Sequence, residues 1–246
     1  MKQMGEKIME FKNLKIKVFA DGADIDGMIE EYKKGYVKGF TTNPTLMKKA
    51  GISDYVTFAK EAIMAIPDLP LSLEVFADDF DTMEKEAKVI SALGDNVYVK
   101  IPITNSKGES SISLIKKLSA AGLKLNVTAI MTMKQVEETV AAFSPNTQNV
   151  VSVFAGRIMD TGVDAMLLMK EVAALCKTKP GTESLWASCR EVYNIIQADE
   201  CGTDIVTVTN AILAKLPMLG KDLTQLSLET VQMFVNDGQS LGFSII

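Results

Sequence analysis

A lysine inside an otherwise apolar, strand-prone run is the first residue of this sequence to ask for a chemical explanation. It is Lys100, in Val97-Tyr-Val-Lys-Ile-Pro102. Burying a cation is costly unless it is paired or gives up its proton, and a desolvated neutral lysine is a nucleophile toward a carbonyl carbon. The alternative is a strand-end lysine whose flexible stem reaches solvent past the rim. Two carboxylates stand in comparable settings. Glu74, in Leu-Ser-Leu-Glu-Val-Phe, needs a partner there, and Lys100 or a bound water would serve. Asp21 ends Phe-Ala-Asp-Gly, where it could act as general acid and base on a substrate hydroxyl or form a turn beside Gly22. Asn126 and Thr128 offer an amide and a hydroxyl for the hydroxyls of a ligand or for a water, or for bonding within a polar layer of their own.

The arginines add an anion to this picture. Of 26 basic residues only Arg157 and Arg190 are arginine, and each lies just beyond the end of an apolar, β-rich run. Their planar fork of donors suits a phosphate in a way lysine does not imitate; a salt bridge such as Arg157 with Asp160 is the competing use for one of them. The chain contains no histidine, which removes Ser-His and Cys-His nucleophile pairs and the commonest metal ligand. Cys176, Cys189 and Cys201 show neither disulfide nor zinc spacing, so no metal is expected and a reducing cytoplasm fits. The net charge of −5 argues against nucleic acid or an anionic membrane as partner. Met1–Lys17 carries charges throughout, unlike a signal peptide, and no later run has the ~20 apolar residues of a membrane span. The expectation is a soluble globular protein.

Eight short apolar runs alternate with helical patterns, which predicts an α/β fold, a (β/α)8 TIM barrel forming one domain over 1–246. The strands are expected at Ile16–Asp21, Gly39–Asn43, Leu71–Phe76, Val97–Ile101, Leu123–Thr128, Val150–Phe154, Leu185–Ser188 and Ile205–Val208. Ile25, Met28, Ile29 and Tyr32 recur at helical spacing between Asp24 and Gly35. Asn43-Pro44 reads as a cap followed by proline in the first turn, and Thr132 with Gln135 as a capping box opening a helix through Phe143. Ala211–Leu216 closes the last unit, and Leu223–Phe234 is an added C-terminal helix. Alternation then sends Asp21 with Phe19, Ser72 with Glu74, Tyr98 with Lys100, and Asn126 with Thr128 into the barrel, while Val99, Val127 and Ala129 face the helices. Glu74, Lys100, Asn126 and Ser152 are evenly spaced by 26 residues, which predicts a common depth.

From about Val18 onward the sequence resembles the transaldolase family. Phe40-Thr-Thr-Asn-Pro-Thr45 is similar to its Thr-Thr-Asn-Pro-Ser motif, and Val97–Pro102 to its Schiff-base lysine strand. Asn126-Val-Thr128 resembles its Asn-Leu-Thr, Ser152–Ile158 its segment ending Gly-Arg-Ile, and Ala187-Ser-Cys-Arg190 its Ala-Ser-Phe-Arg. The resemblance implies that Lys100 forms a Schiff base with a ketose phosphate and that Asp21 is the acid/base, with Glu74 and Thr128 positioning a catalytic water. It puts Asn43, Thr42, Asn126, Ser152 and Phe154 at the substrate, and Arg157, Ser188 and Arg190 at its phosphate. No cofactor is implied; the partners are sugar phosphates, and compact relatives often form homo-oligomers. Cys189 stands where the family usually has Phe, with parity directing it away from the pocket, and Met1–Leu14 matches nothing in the compact members. Glu74 stands where the related fructose-6-phosphate aldolases carry glutamine, which points to transfer of a three-carbon unit rather than its release.

Overall fold

The computed structural model describes residues 13–243 and residue 245; most of the unmatched stretch Met1–Leu14, through Lys12, lies outside them. Eight strands form a closed, all-parallel barrel in sequence order. They are β1 (Lys17–Asp21), β2 (Phe40–Thr41), β3 (Leu71–Glu74), β4 (Val97–Pro102), β5 (Leu125–Ile130), β6 (Asn149–Val153), β7 (Thr182–Trp186) and β8 (Ile205–Thr209). Helices fill every connection, as parallel neighbours require a crossover. The expected (β/α)8 fold is the observed one.

The alternation of side chains explains the closure. Leu73, Val99, Leu125, Val127, Val151 and Val206 are fully buried, as are Ala62, Ala87, Ile115, Leu118, Val136 and Met169 on the surrounding helices. Each side chain of Val or Leu size removed from water in this layer stabilises the fold by about 1.5–3 kcal/mol. The opposite parity faces inward, where Phe19, Tyr98, Val150, Leu185 and Ile205 pack into one cluster. That plug separates the Lys17–Glu183 ion pair at the N-terminal ends of the strands from the polar side chains that gather toward their C-terminal ends.

Local signals for helices behave as their chemistry dictates. Asp24 accepts from the Gly27 amide at 2.9 Å to open the helix Ile25–Lys33, and Gly35 beyond it has φ +76°. Thr132 and Gln135 form the reciprocal capping box of Met133–Ala142. Asn43 caps Pro44–Lys49 by accepting from the Leu46 amide at 3.0 Å.

Three expectations are corrected. The alternation of β5 breaks beyond Val127, where the register with β6 shifts and Ala129 adopts φ +60°; Ala129 therefore turns to the pocket instead of the helices. Glu74, Lys100 and Asn126 do pair across β3, β4 and β5, but Asn126 pairs with Val150, not with Ser152. Equal spacing in sequence gives equal depth only while loop and helix lengths compensate. β2, β3 and β7 end at Thr41, Glu74 and Trp186, each two residues before its expected end, and beyond β7 Ser188 takes a left-handed φ of +64°.

Residue contacts divide the chain into a barrel unit, Lys15–Ala214, and a second unit that includes the stretch from Lys215. The latter contains a short 3-10 turn, Leu216–Met218, and a helix, Leu223–Ser240, six residues longer than the expected Leu223–Phe234. No described helix is long and apolar enough to cross a membrane.

One glycine is fixed by a close approach. A Cβ on Gly156 would stand 1.6 Å from the Ser188 carbonyl oxygen, so the turn after β6 lies directly on the turn after β7. Gly156→Ala is expected to lower the unfolding free energy by about 3 kcal/mol through overpacking. Gly238→Ala, with no atom near the added carbon and a helical position, is expected to raise it by about 0.5–1 kcal/mol. Urea titration of the two variants checks the opposite signs.

Candidate active site

A pocket of about 410 Å³ opens at the C-terminal ends of the strands, and Lys100 reaches into it. The lysine is only 5% exposed, so it does not escape past the rim. Its Nζ donates to the Thr42 carbonyl oxygen at 2.7 Å and lies 3.0 Å from Glu74 Oε2. Direct pairing of Glu74 with Lys100 across β3 and β4 makes this contact a matter of register. Ion pairs taken out of water hold only when geometry and further hydrogen bonds are good, and the carbonyl at the end of β2 supplies that second acceptor.

Asp21 lines the same pocket. Its Oδ1 accepts from the Thr41 hydroxyl at 2.7 Å, and the Asn43 amide Nδ2 stands 3.5 Å from its Oδ2. Burial pushes this carboxyl above its ordinary value; Lys100 and the Thr41 hydrogen bond draw it back, and Glu74 adds to the rise. Asn43 has its orientation set by the helix it caps. With Oδ1 committed to the Leu46 amide, Nδ2 is left to face Asp21.

Deeper in the wall, Asn126 donates to Ser72 Oγ at 3.0 Å. Its Oδ1 and the Thr128 Oγ1 are buried without a hydrogen-bond partner among the described residues. Such atoms are costly unless a water or substrate hydroxyl completes them. Thr128, Ser152, Phe154, Arg157 and Ser188 line the pocket; Asn126, fully buried, is not in the lining, and Thr42 contributes through its carbonyl, its hydroxyl being spent on the Ser72 carbonyl.

The arginines divide. Arg157 lines the pocket, its guanidinium carbon 5.1 Å from the centre of the Phe154 ring, a cation–π distance. Arg190 is absent from the lining and forks onto Asp160, with Nε 2.9 Å from Oδ2. That hydrogen bond holds the Asp160 carboxyl below its usual range. The salt bridge weighed for Arg157 thus belongs to Arg190. Cys189 is buried and outside the lining, although β7 stops too early for strand parity to be the reason.

Two residues escaped the sequence reading. Thr41 and Thr207 line the pocket, their hydroxyl oxygens 2.6 Å apart. The signal was present: Ile205-Val-Thr-Val-Thr alternates as the lysine strand does and sends Thr207 inward. Among the described residues there is no cluster of three or more His, Cys, Asp or Glu able to hold a metal.

The family described as "Transaldolase/Fructose-6-phosphate aldolase" matches residues 18–245. A protein of Sphingopyxis alaskensis named "Probable transaldolase" is 37% identical over 202 residues, covering 82% of this chain and 89% of its own length. One of the same name from Methanococcus maripaludis is 38% identical with the same coverage. A third, from Thermoanaerobacter, is 32% identical over 231 residues, 94% of this chain and all of that one. Among solved structures, 3-keto-L-gulonate-6-phosphate decarboxylase from Vibrio cholerae superposes with a TM-score of 0.52 at 13% identity, over 86% of this chain and 96% of its own; that likeness is one of fold.

The raised Asp21 carboxyl carries a stability prediction with a definite sign. The folded chain binds this proton more tightly than the unfolded one, whose value is near 3.8. Asp21 therefore stabilises the fold while protonated, and that contribution is lost as pH rises through the folded value. At neutral pH, Asp21→Asn, which removes the buried charge, is therefore expected to raise Tm. Calorimetry should find the gain shrinking toward zero below about pH 4.

Proposed function

The chain belongs to the transaldolase/fructose-6-phosphate aldolase family, and from that premise we propose that it is a transaldolase, moving a dihydroxyacetone unit from a ketose phosphate to an aldose phosphate through a Schiff base on Lys100. The observation that carries this reading is the placement of Lys100 Nζ, buried in the pocket within 3.0 Å of Glu74, with the Asp21 carboxyl in the same cavity.

Attack on a ketose carbonyl requires the neutral amine, and Glu74 is the adjacent base able to take its proton. Nζ adds to the carbonyl carbon, and loss of water, which Glu74 and Thr128 hold and orient, leaves an iminium. Asp21 then accepts the proton of the hydroxyl two carbons away as the carbon–carbon bond between them breaks. The bonding pair moves into the iminium, forming an enamine, and an aldose phosphate departs. A second aldose phosphate is attacked by the enamine, Asp21 returns its proton to the new hydroxyl, and hydrolysis frees Lys100. The raised Asp21 carboxyl suits this double duty, because an acid/base works best when its pKa approaches the operating pH. The protein groups account for each step without a cofactor.

Asn43, Asn126 and Ser152 are assigned to the hydroxyls of the bound unit, with the unpartnered Asn126 Oδ1 as the supporting feature. Phe154 backs Arg157, which with Ser188 is assigned to the phosphate. Arg190 joins them only by exchanging Asp160 for the phosphate. Glu74 in place of the glutamine found in the aldolase branch favours transfer over release. The free, buried thiols of Cys176, Cys189 and Cys201 suit the cytoplasm. Exposed Leu228, Val231, Phe234 and Val235 on the C-terminal helix support a homo-oligomer.

Borohydride reduction with fructose 6-phosphate is expected to add one reduced three-carbon unit to the intact chain, by mass, and none to Lys100→Ala; an adduct that survives that substitution would sink the Schiff-base assignment. Given an aldose phosphate acceptor, transfer should outpace release of free dihydroxyacetone; the reverse ratio makes the chain an aldolase. Arg157→Ala is expected to raise KM for the phosphorylated ketose about tenfold or more while leaving kinetics with free dihydroxyacetone nearly unchanged, as loss of one charge-assisted contact implies. Steady-state rates with both donors separate the two.

A further inference from the structure

The reading of Asp21 as acid/base leaves one question open: which of its two oxygens handles the proton. Resting on that reading, we infer that Thr207 and Thr41 form a directional hydroxyl pair that positions Asp21, locking Oδ1 to the barrel wall and reserving Oδ2 for the substrate hydroxyl.

Proton counting gives the direction. An ionised carboxylate only accepts, and a threonine hydroxyl has a single proton to give. The Thr41 hydroxyl spends its proton on Asp21 Oδ1 at 2.7 Å. The 2.6 Å contact between Thr41 and Thr207 must therefore run from Thr207 to Thr41. Thr41 is 2% exposed and Thr207 6%, so bulk water does not compete for either hydroxyl. A bond received by a donor strengthens the one it gives, and the pair aims two hydroxyls in series at one carboxylate oxygen. The other oxygen is held loosely: the Asn43 amide stands at 3.5 Å from Oδ2, the outer limit of a hydrogen bond. Oδ1 is already accepting, so a proton taken from the substrate hydroxyl settles on Oδ2. From there it returns to the hydroxyl formed in the second half-reaction, and nothing on the wall needs to reorient.

The other ionisable groups facing Asp21 are Lys100 from β4, Glu74 from β3 and Cys189 beyond β7; β2 and β8 bring only the hydroxyls and the Asn43 amide. Substituting Thr207 changes none of these charges. A hydrogen bond to the ionised carboxylate favours that form, so weakening the pair must shift ionisation of Asp21 to higher pH.

The test titrates the Asp21 carboxyl by carbon NMR in the full chain labelled at aspartate, with Asp21→Asn to assign the resonance. Thr207→Val, which keeps the shape and removes the hydroxyl, is expected to raise the midpoint by about 0.5–1 pH, the equivalent of one net hydrogen bond. Thr207→Ser should restore it. Under turnover, the acid limb of kcat should move by the same amount and kcat fall about 2–10-fold, with KM little changed. An unmoved midpoint in Thr207→Val, or a serine variant that behaves like valine, overturns the pair; Thr207→Ala serves if the valine variant does not fold. The titration needs no turnover, so it decides the pair even where an inactive chain would sink the transaldolase reading.

Discussion

A cation taken out of water organises the mouth of this barrel. Lys100 is held by the Thr42 carbonyl and the Glu74 carboxylate, and both contacts follow from strand register: β3 sets Glu74 beside the lysine, and the end of β2 turns a carbonyl toward it. Glu74 in turn affects Asp21, since two carboxylates near one ammonium share its field, and Asp21 keeps a raised carboxyl despite that cation. Burial is the larger influence there, and burial is what the apolar plug beneath the pocket and the helices around it provide.

This dependence explains why so much could be read from the chain. Alternation in a parallel barrel strand is a strict period of two, so apolar Val97, Val99 and Ile101 oblige Lys100 to face inward, and it is buried there. Caps were equally legible at Asp24, Asn43 and Thr132, because their side chains act on amides two or three residues away. The failures share a cause. Ala129 and Ser188 adopt positive φ without being glycine, and no local pattern announces that. Ala129 lies at the register shift inside β5 and Ser188 just past the end of β7, both on the pocket wall, and such strained backbone is found where surrounding structure over-determines it.

The arginines illustrate a different limit. Their scarcity and their positions after β6 and β7 directed attention to the same face, but partner choice depends on where a carboxylate lies in space. Asp160, 30 residues from Arg190 in sequence, takes that arginine and leaves Arg157 to the pocket. Close approach of the two turns, enforced at Gly156, brings Arg157 and Ser188 to one wall. Thr41 and Thr207, by contrast, carry no distinguishing local signal: threonine is ordinary in strands, and only closure of the barrel through β1 brings the two hydroxyls together.

Asn43 carries a consequence for how this sequence can drift. Serine, threonine, aspartate and asparagine all cap helices well, so most capping positions exchange among them freely. Here the cap oxygen faces the Leu46 amide while the nitrogen faces Asp21, and of the four only asparagine carries an acceptor and a donor on two separate atoms. Aspartate would keep the helix and set a second negative charge against the first; serine would keep the helix and leave the carboxylate without its neighbour. The helix accepts four residue types and the pocket favours one of them, so folding and chemistry select different alphabets at a single position.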